Sequence, residues 1–149
     1  MTRFKDRQAG GKRLAEALKP ILRSETAVIV GLARGGVETA KAVAEALQLP
    51  LDVACPRKVG APGHAELALG AVTESGEAVW NSDLLKQLRV DRAWLEQAVA
   101  EQSAEARRRL QRFRQGKPPR NWAGKTVVLV DDGLATGATM RVAIRGARA

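Results

Sequence analysis

Three short apolar runs constrain this chain more than any other feature. They are "AVIV" (Ala27 to Val30), "LDVAC" (51–55) and "TVVLV" (Thr126 to Val130), and they stop abruptly at Gly31, Pro56 and Asp131. None shows the strict apolar/polar alternation of a strand with one wet face. Such runs form strands buried on both faces, as in parallel sheets. Helical patterns lie between them. Leu14, Leu18 and Ile21, widened by Ala15 and Leu22, predict a helix over 8–22 that Pro20 loosens at its end. Val37, Ala40, Ala44 and Leu47 predict a second helix over 37–48. Asp91 caps a long helix with an inward stripe of Leu95, Val99, Gln102, Ala106, Leu110 and Phe113, ended by Gly116, Pro118 and Pro119. A last helix starts near Ala138. Residues 67–73 and 77–81 read as a β-hairpin around the turn "ESGE", and 56–66 as a long loop. The expected architecture is α/β, a parallel sheet flanked by helices, in one domain over 1–149. Ligands of such sheets collect at the carboxyl ends of the strands.

Those ends carry the unusual residues. The third run delivers Asp131 and Asp132 side by side, and "GLATGAT" then turns into the last helix. Adjacent carboxylates repel, so a partner from outside the chain is expected to compensate them. The amides of a helix N-terminus attract an anion, and Thr136 and Thr139 add hydroxyl donors. This is not a Walker A loop, because no Gly-Lys-Ser/Thr closes it. A ligand with hydroxyls at one end and a phosphate at the other satisfies both halves, and a ribose 5-phosphate has that shape. The first run leads into "GLARGG", where Arg34 is the only charge and Gly35 and Gly36 permit close backbone approach. The second leads into "RKVGAPGHAE", a Gly/Pro-rich segment carrying Arg57, Lys58 and His64.

"VVLVDDGLATGAT" resembles the phosphoribosyl pyrophosphate (PRPP) signature of type I phosphoribosyltransferases. "GLARGG" is similar to the pyrophosphate loop of that family, and "RKVGAPG" with "ALGAV" is similar to a bacterial subgroup of it. The likeness runs from "RFKDRQAGGKRLAEAL" to the last helix. It implies transfer of ribose 5-phosphate from PRPP to a nucleobase-type acceptor with release of pyrophosphate. Asp131 and Asp132 would hold the ribose, and Gly133, Ala135, Thr136, Gly137, Ala138 and Thr139 the 5-phosphate. Arg34, Gly35, Gly36 and Lys58 would hold pyrophosphate, with Arg57, Lys58 and His64 on a lid that takes part in catalysis. Mg²⁺ would bridge the ligand's oxygens, reached by Asp131 or Asp132 through water. Family members continue with further strands beyond "MRVAIRGARA", so the resemblance implies a domain incomplete at its C-terminus, or one completed by another subunit such as a second copy.

Composition limits the alternatives. No apolar run approaches the ~20 residues that span a bilayer, and the N-terminus lacks a signal-peptide core. The lone cysteine, Cys55, makes no internal disulfide, which suits a reducing cytoplasm; packing is its expected role, as it is for Trp80, Trp94 and Trp122. No cluster has zinc-site spacing. Net charge is +9, but 105–125 alone holds eight basic residues and one acid. This segment is either a solvated helix end or a contact for nucleic acid. The latter defines an alternative function, a non-catalytic PRPP- or nucleotide-binding regulator. Aromatics at 3%, with no Tyr, offer little for base stacking.

Overall fold

The computed structural model describes residues 4–22, 26–118, 121–133 and 137–148. In chain order the elements are α1 (Arg7–Leu18), β1 (Ala27–Leu32), α2 (Gly35–Leu47), β2 (Leu51–Ala54), β3 (Arg57–Ala61), β4 (His64–Val72), β5 (Ala78–Trp80), α3 (Ser82–Leu88), α4 (Arg92–Arg114), β6 (Thr126–Val130) and α5 (Ala138–Arg148). Contacts divide the chain into two compact units. One holds the described residues of Met1–Ala54 and Lys117–Leu134, the other those of Cys55–Gly116 and Ala135–Ala149. Among the described residues no helix is long and apolar enough to cross a membrane.

The first unit is the α/β unit. Its sheet has the order β2-β1-β6 and is parallel throughout. β1 lies in the middle and is buried along its whole length, as its unbroken run of hydrocarbon requires. β6 differs from the expectation of burial on both faces. It pairs only with β1 among the described residues, and only Val130 is fully buried. In β2 the run is interrupted by Asp52, which is buried. Its carboxylate accepts a hydrogen bond from the Trp122 indole at 2.8 Å, so Trp122 is a polar partner as well as an apolar anchor.

Asp6 caps α1, accepting from the Ala9 N–H at 2.8 Å, and the helix ends at Leu18. That is shorter than the expected 8–22, because Pro20 cannot continue the ladder. A Cβ on Gly11 would lie 2.5 Å from the Thr39 carbonyl oxygen, so α1 and α2 approach as closely as they do only because Gly11 is there. The core joins Ala15 of α1, Ile29 of β1, Val43 of α2 and Val130 of β6.

The second unit holds an antiparallel sheet of order β3-β4-β5, with α4 and α5 packed against it. The expected hairpin is β4–β5, turning through Gly76 at φ 87°. The loop expected over 56–66 is largely β3 and the start of β4 instead. "RKVGA" has no apolar run, but Val59 and Ala61 alternate with exposed or half-buried neighbours, which a half-buried strand needs. Gly60 admits the Ala65 backbone, which a side chain would strike. α3, capped by Asn81, is too short to show a periodic stripe in the sequence. α4 starts at Asp91 as expected, and Ser103, Ala106 and Leu110 are its buried residues. Phe113, assigned to the inward stripe, is 39% exposed in the helix's last turn.

Candidate functional site

Because β1 and β6 are parallel neighbours, their carboxyl ends open at the same edge of the sheet, with Gly31 opposite Val130. The segments that follow meet there. A Cβ on Gly36 would lie 2.6 Å from the Val130 carbonyl oxygen and 2.9 Å from the Asp131 Cα. A Cβ on Gly35 would fall on the Asp132 carboxylate. The glycine pair of "GLARGG" therefore seats the start of α2 directly against the aspartate pair. Gly31 does the same one step earlier, since its Cβ would come 2.7 Å from the Val37 Cα. Arg34 stands exposed as the N-terminal flanking residue of α2, after a cis Ala33–Arg34 peptide. The first amides of α2 have no partner inside their helix and form a positive end beside two carboxylates.

The chain itself supplies a partner for one of the carboxylates, Asp132, beside any from outside. Arg7, in the first turn of α1, donates to Asp132 Oδ2 through Nη2 at 2.8 Å and Nε at 3.0 Å. Its Nη1 lies 3.7 Å from Glu38 Oε2. Asp131 Oδ1 accepts the Asp132 backbone N–H at 2.8 Å. The Arg7 hydrogen bonds hold the Asp132 carboxyl below the usual carboxylate range, and Asp132 in turn raises Arg7. No sequence signal marks Arg7 as a site residue, because 125 residues separate it from its partner; the local sequence "KDRQ" reads only as the start of a helix.

The sign of the Asp132 shift yields a prediction. A carboxyl depressed in the folded state contributes stability above its unfolded pKa and loses it as pH falls through the lowered folded value. Urea denaturation of Arg7→Met should show it less stable than the parent at pH 7, with the gap closing as the solution is acidified below the carboxylate range. A gap unchanged at acid pH would show that Arg7 acts through packing alone.

Gly133 is exposed at the end of the first unit's described chain. Ala135 and Thr136 lie outside the described residues. Gly137 takes φ 81°, Ala138 is buried at the start of α5, and Thr139 sits in its first turn. These three belong to the second unit, as do Arg57, Lys58 and His64. Arg57 and Lys58 are adjacent on β3 and so point to opposite faces. Arg57 is half-buried with its Nε donating to Gln102 Oε1 of α4 at 3.1 Å, whereas Lys58 is exposed. The structure does not place these two cations on one face of the strand. His64 is exposed at the start of β4.

In the basic segment, Arg108 and Arg109 both pair with Glu105, holding its carboxyl down to about 2. Arg107 donates to the Glu74 carbonyl at 2.8 Å. Cys55 is buried, and burial pushes its thiol up, away from reactivity. Among the described residues no group of three or more His, Cys, Asp or Glu could hold a metal ion.

The fold and these strand-end segments define an α/β protein whose conspicuous polar groups, two carboxylates against a helix N-terminus, gather at the carboxyl edge of a parallel sheet. The family model "Phosphoribosyl transferase domain" matches residues 1–148, and the chain belongs to that family. It is 43% identical over 149 residues to two proteins of Mycobacterium tuberculosis, from strains CDC 1551 / Oshkosh and ATCC 25618 / H37Rv, each provisionally named a phosphoribosyl transferase. The match covers 100% of this chain and 33% of each of them, so the chain spans about a third of the length of these curated relatives. A crystal structure of the protein TT1426 from Thermus thermophilus superimposes with a TM-score of 0.74 at 46% identity, covering 99% of this chain and 69% of that one.

Proposed function

We propose that this phosphoribosyl transferase domain binds PRPP and transfers its ribose 5-phosphate to a ring nitrogen of a nucleobase-type acceptor. The observation that carries the reading is the seating of Gly35 and Gly36 against Asp131 and Asp132, which sets an amide-rich helix start beside a carboxylate pair. Asp131 and Asp132 accept hydrogen bonds from the ribose hydroxyls. The amides at the start of α2, with Arg34, take the pyrophosphate oxygens. The loop from Gly133 through Ala135, Thr136, Gly137, Ala138 and Thr139 takes the 5-phosphate. Arg57, Lys58 and His64 are assigned to the lid that acts on the pyrophosphate; of the three, Lys58 and His64 are exposed and Arg57 donates to Gln102.

In the reaction a bond forms from the ring nitrogen to C1 as the C1–O bond to pyrophosphate breaks. The electron pair leaves with pyrophosphate, and the ring N–H proton passes to that anion or to water. Held donors aimed at the leaving oxygen stabilise charge where it develops, and a fixed sugar removes the entropy cost of alignment. Because Arg7 occupies the Asp132 carboxylate, the oxygen donors here fit a hard cation such as Mg²⁺ only indirectly: ligand oxygens and water would hold it, with Asp131 or Asp132 reaching it through water. When bound, Mg²⁺ supplies charge neutralisation to the leaving group.

The test incubates the chain with PRPP, Mg²⁺ and a panel of nucleobases and follows pyrophosphate. Release that requires one of the bases is expected. PRPP binding without release under any base would overturn transfer and leave a donor-binding regulator.

A further inference from the structure

All three guanidinium nitrogens of Arg7 converge on carboxylates around one strand end. Nη2 and Nε donate to the same atom, Asp132 Oδ2, at 2.8 and 3.0 Å. That oxygen faces Gly35, because a Cβ on Gly35 would fall on it and would lie 3.0 Å from Arg7 Nη2. The third nitrogen, Nη1, is 3.7 Å from Glu38 Oε2 in the first turn of α2. One side chain of α1 therefore spans the end of β6 and the start of α2. The helix that carries it is itself fixed: Asp6 caps it one residue earlier, and Gly11 seats it against Thr39. The Arg7 side chain is half exposed, and an ion pair that wet contributes little to the stability of the fold. A guanidinium built to take an anionic ligand would turn its fork outward, whereas this one is turned onto Asp132 and Glu38.

A carboxylate has about four lone-pair sites. Arg7 takes two of them on one oxygen, which leaves the group able to accept from a sugar hydroxyl as well. The Asp132 main chain is held too, since its N–H donates to Asp131 Oδ1 at 2.8 Å. Backbone and side chain of Asp132 are thus both set by the protein itself. We propose that Arg7 is a positioning residue for the donor site: it holds the Asp132 carboxylate in the orientation that grips the ribose hydroxyls of PRPP, without touching PRPP. A group ordered before the ligand arrives loses no freedom on binding, so the contact raises donor affinity. The proposal rests on the donor reading above, which makes Asp132 a partner of the ribose. Arg13 offers the comparison, a cation of equal charge on the same helix that pairs with Glu16, also of α1, at 3.1 Å.

The experiment measures PRPP affinity with Mg²⁺ present, by calorimetry and, for weak binders, ligand-observed NMR. It compares the parent with Arg7→Met, Arg7→Lys, Arg13→Met, Asp132→Ala and the double variant Arg7→Met with Asp132→Ala. Thermal midpoints are recorded for all of them, and binding is measured well below the lowest. Arg7→Met should weaken PRPP roughly three- to tenfold, the range that one pre-ordered side chain is worth on binding. Arg7→Lys should recover part of that loss, because an ammonium reaches Oδ2 but lacks the fixed fork. Arg13→Met should stay within about twofold of the parent, as an independent site does. In the Asp132→Ala background, Arg7→Met should change affinity by less than about twofold, because residues of one network are not additive. Undiminished affinity in Arg7→Met overturns the proposal and leaves Arg7 a strut between α1 and the sheet. A loss that persists in full without Asp132 overturns it as well, since Arg7 would then touch the ligand. An equal loss in Arg13→Met overturns it in favour of a diffuse positive field. A parent that binds no PRPP removes the donor reading and this proposal with it, whereas a parent that binds while Arg7→Met is unchanged removes this proposal alone.

Discussion

Asp131→Asn combined with Asp132→Asn will lower the affinity of this chain for PRPP by at least about 100-fold, at little cost to the fold. Hydrogen bonds to charged groups contribute about 1.5–3 kcal/mol each, and two of them convert to that loss or more. Asparagine preserves shape and one acceptor oxygen but removes the charge. The fold should tolerate the change because Asp132 is exposed and Asp131 half-buried. The Asp131 contact to the Asp132 N–H also survives through the amide oxygen. The Asp132→Asn half of the change removes the nearer negative partner of Arg7, leaving Glu38, so a small, pH-dependent loss of stability is expected beside the large loss of binding. Calorimetric titration of PRPP with Mg²⁺, alongside circular dichroism, checks both. Unchanged affinity in the double variant would remove the ribose assignment.

The second large effect is expected from Gly36→Ala. Its added Cβ would stand 2.6 Å from the Val130 carbonyl oxygen and 2.9 Å from the Asp131 Cα, and both are backbone atoms of the strand end. No side chain can swing away to make room, so α2 and the end of β6 must separate. Overpacking of this kind costs about 1–3 kcal/mol. Because Asp131 is one of the residues displaced, donor affinity should fall in the same variant. Gly133→Ala is the control for stability. Nothing lies within 4 Å of its Cβ position, so its denaturation midpoint should match the parent's. A Gly36→Ala protein as stable as Gly133→Ala would mean that the two segments are held less tightly together than the structure has them.

Much of this arrangement is legible in the residues taken in order. The runs at Ala27 and Thr126 become β1 and β6, parallel neighbours in one sheet; unbroken hydrocarbon suits β1, which is buried throughout, whereas β6 is only partly covered. The aspartate pair and the glycine pair stand out because each sits where a strand ends, and a parallel sheet brings such ends to one edge. What stays hidden depends on distance or on mixed character. The bond from Arg7 to Asp132 joins residues 125 positions apart, and no local pattern announces it. Asp52 breaks an apolar run, and only the fold shows that the Trp122 indole satisfies it. β3 reads as loop because Arg57, Lys58 and Gly60 mask the alternation of Val59 and Ala61. The opposite facing of Arg57 and Lys58 also comes only with the strand, where adjacent residues alternate and Arg57 turns to Gln102.

The most direct test is an amide-resolved NMR titration of the chain with PRPP and Mg²⁺ at pH 7. The predicted result is saturable binding, with a dissociation constant between about 1 μM and 1 mM as for ordinary substrates. The largest shifts should fall on the amides of Gly35, Gly36, Asp132 and Gly133. Shifts that leave those four unmoved, or no shifts up to millimolar PRPP, would contradict it.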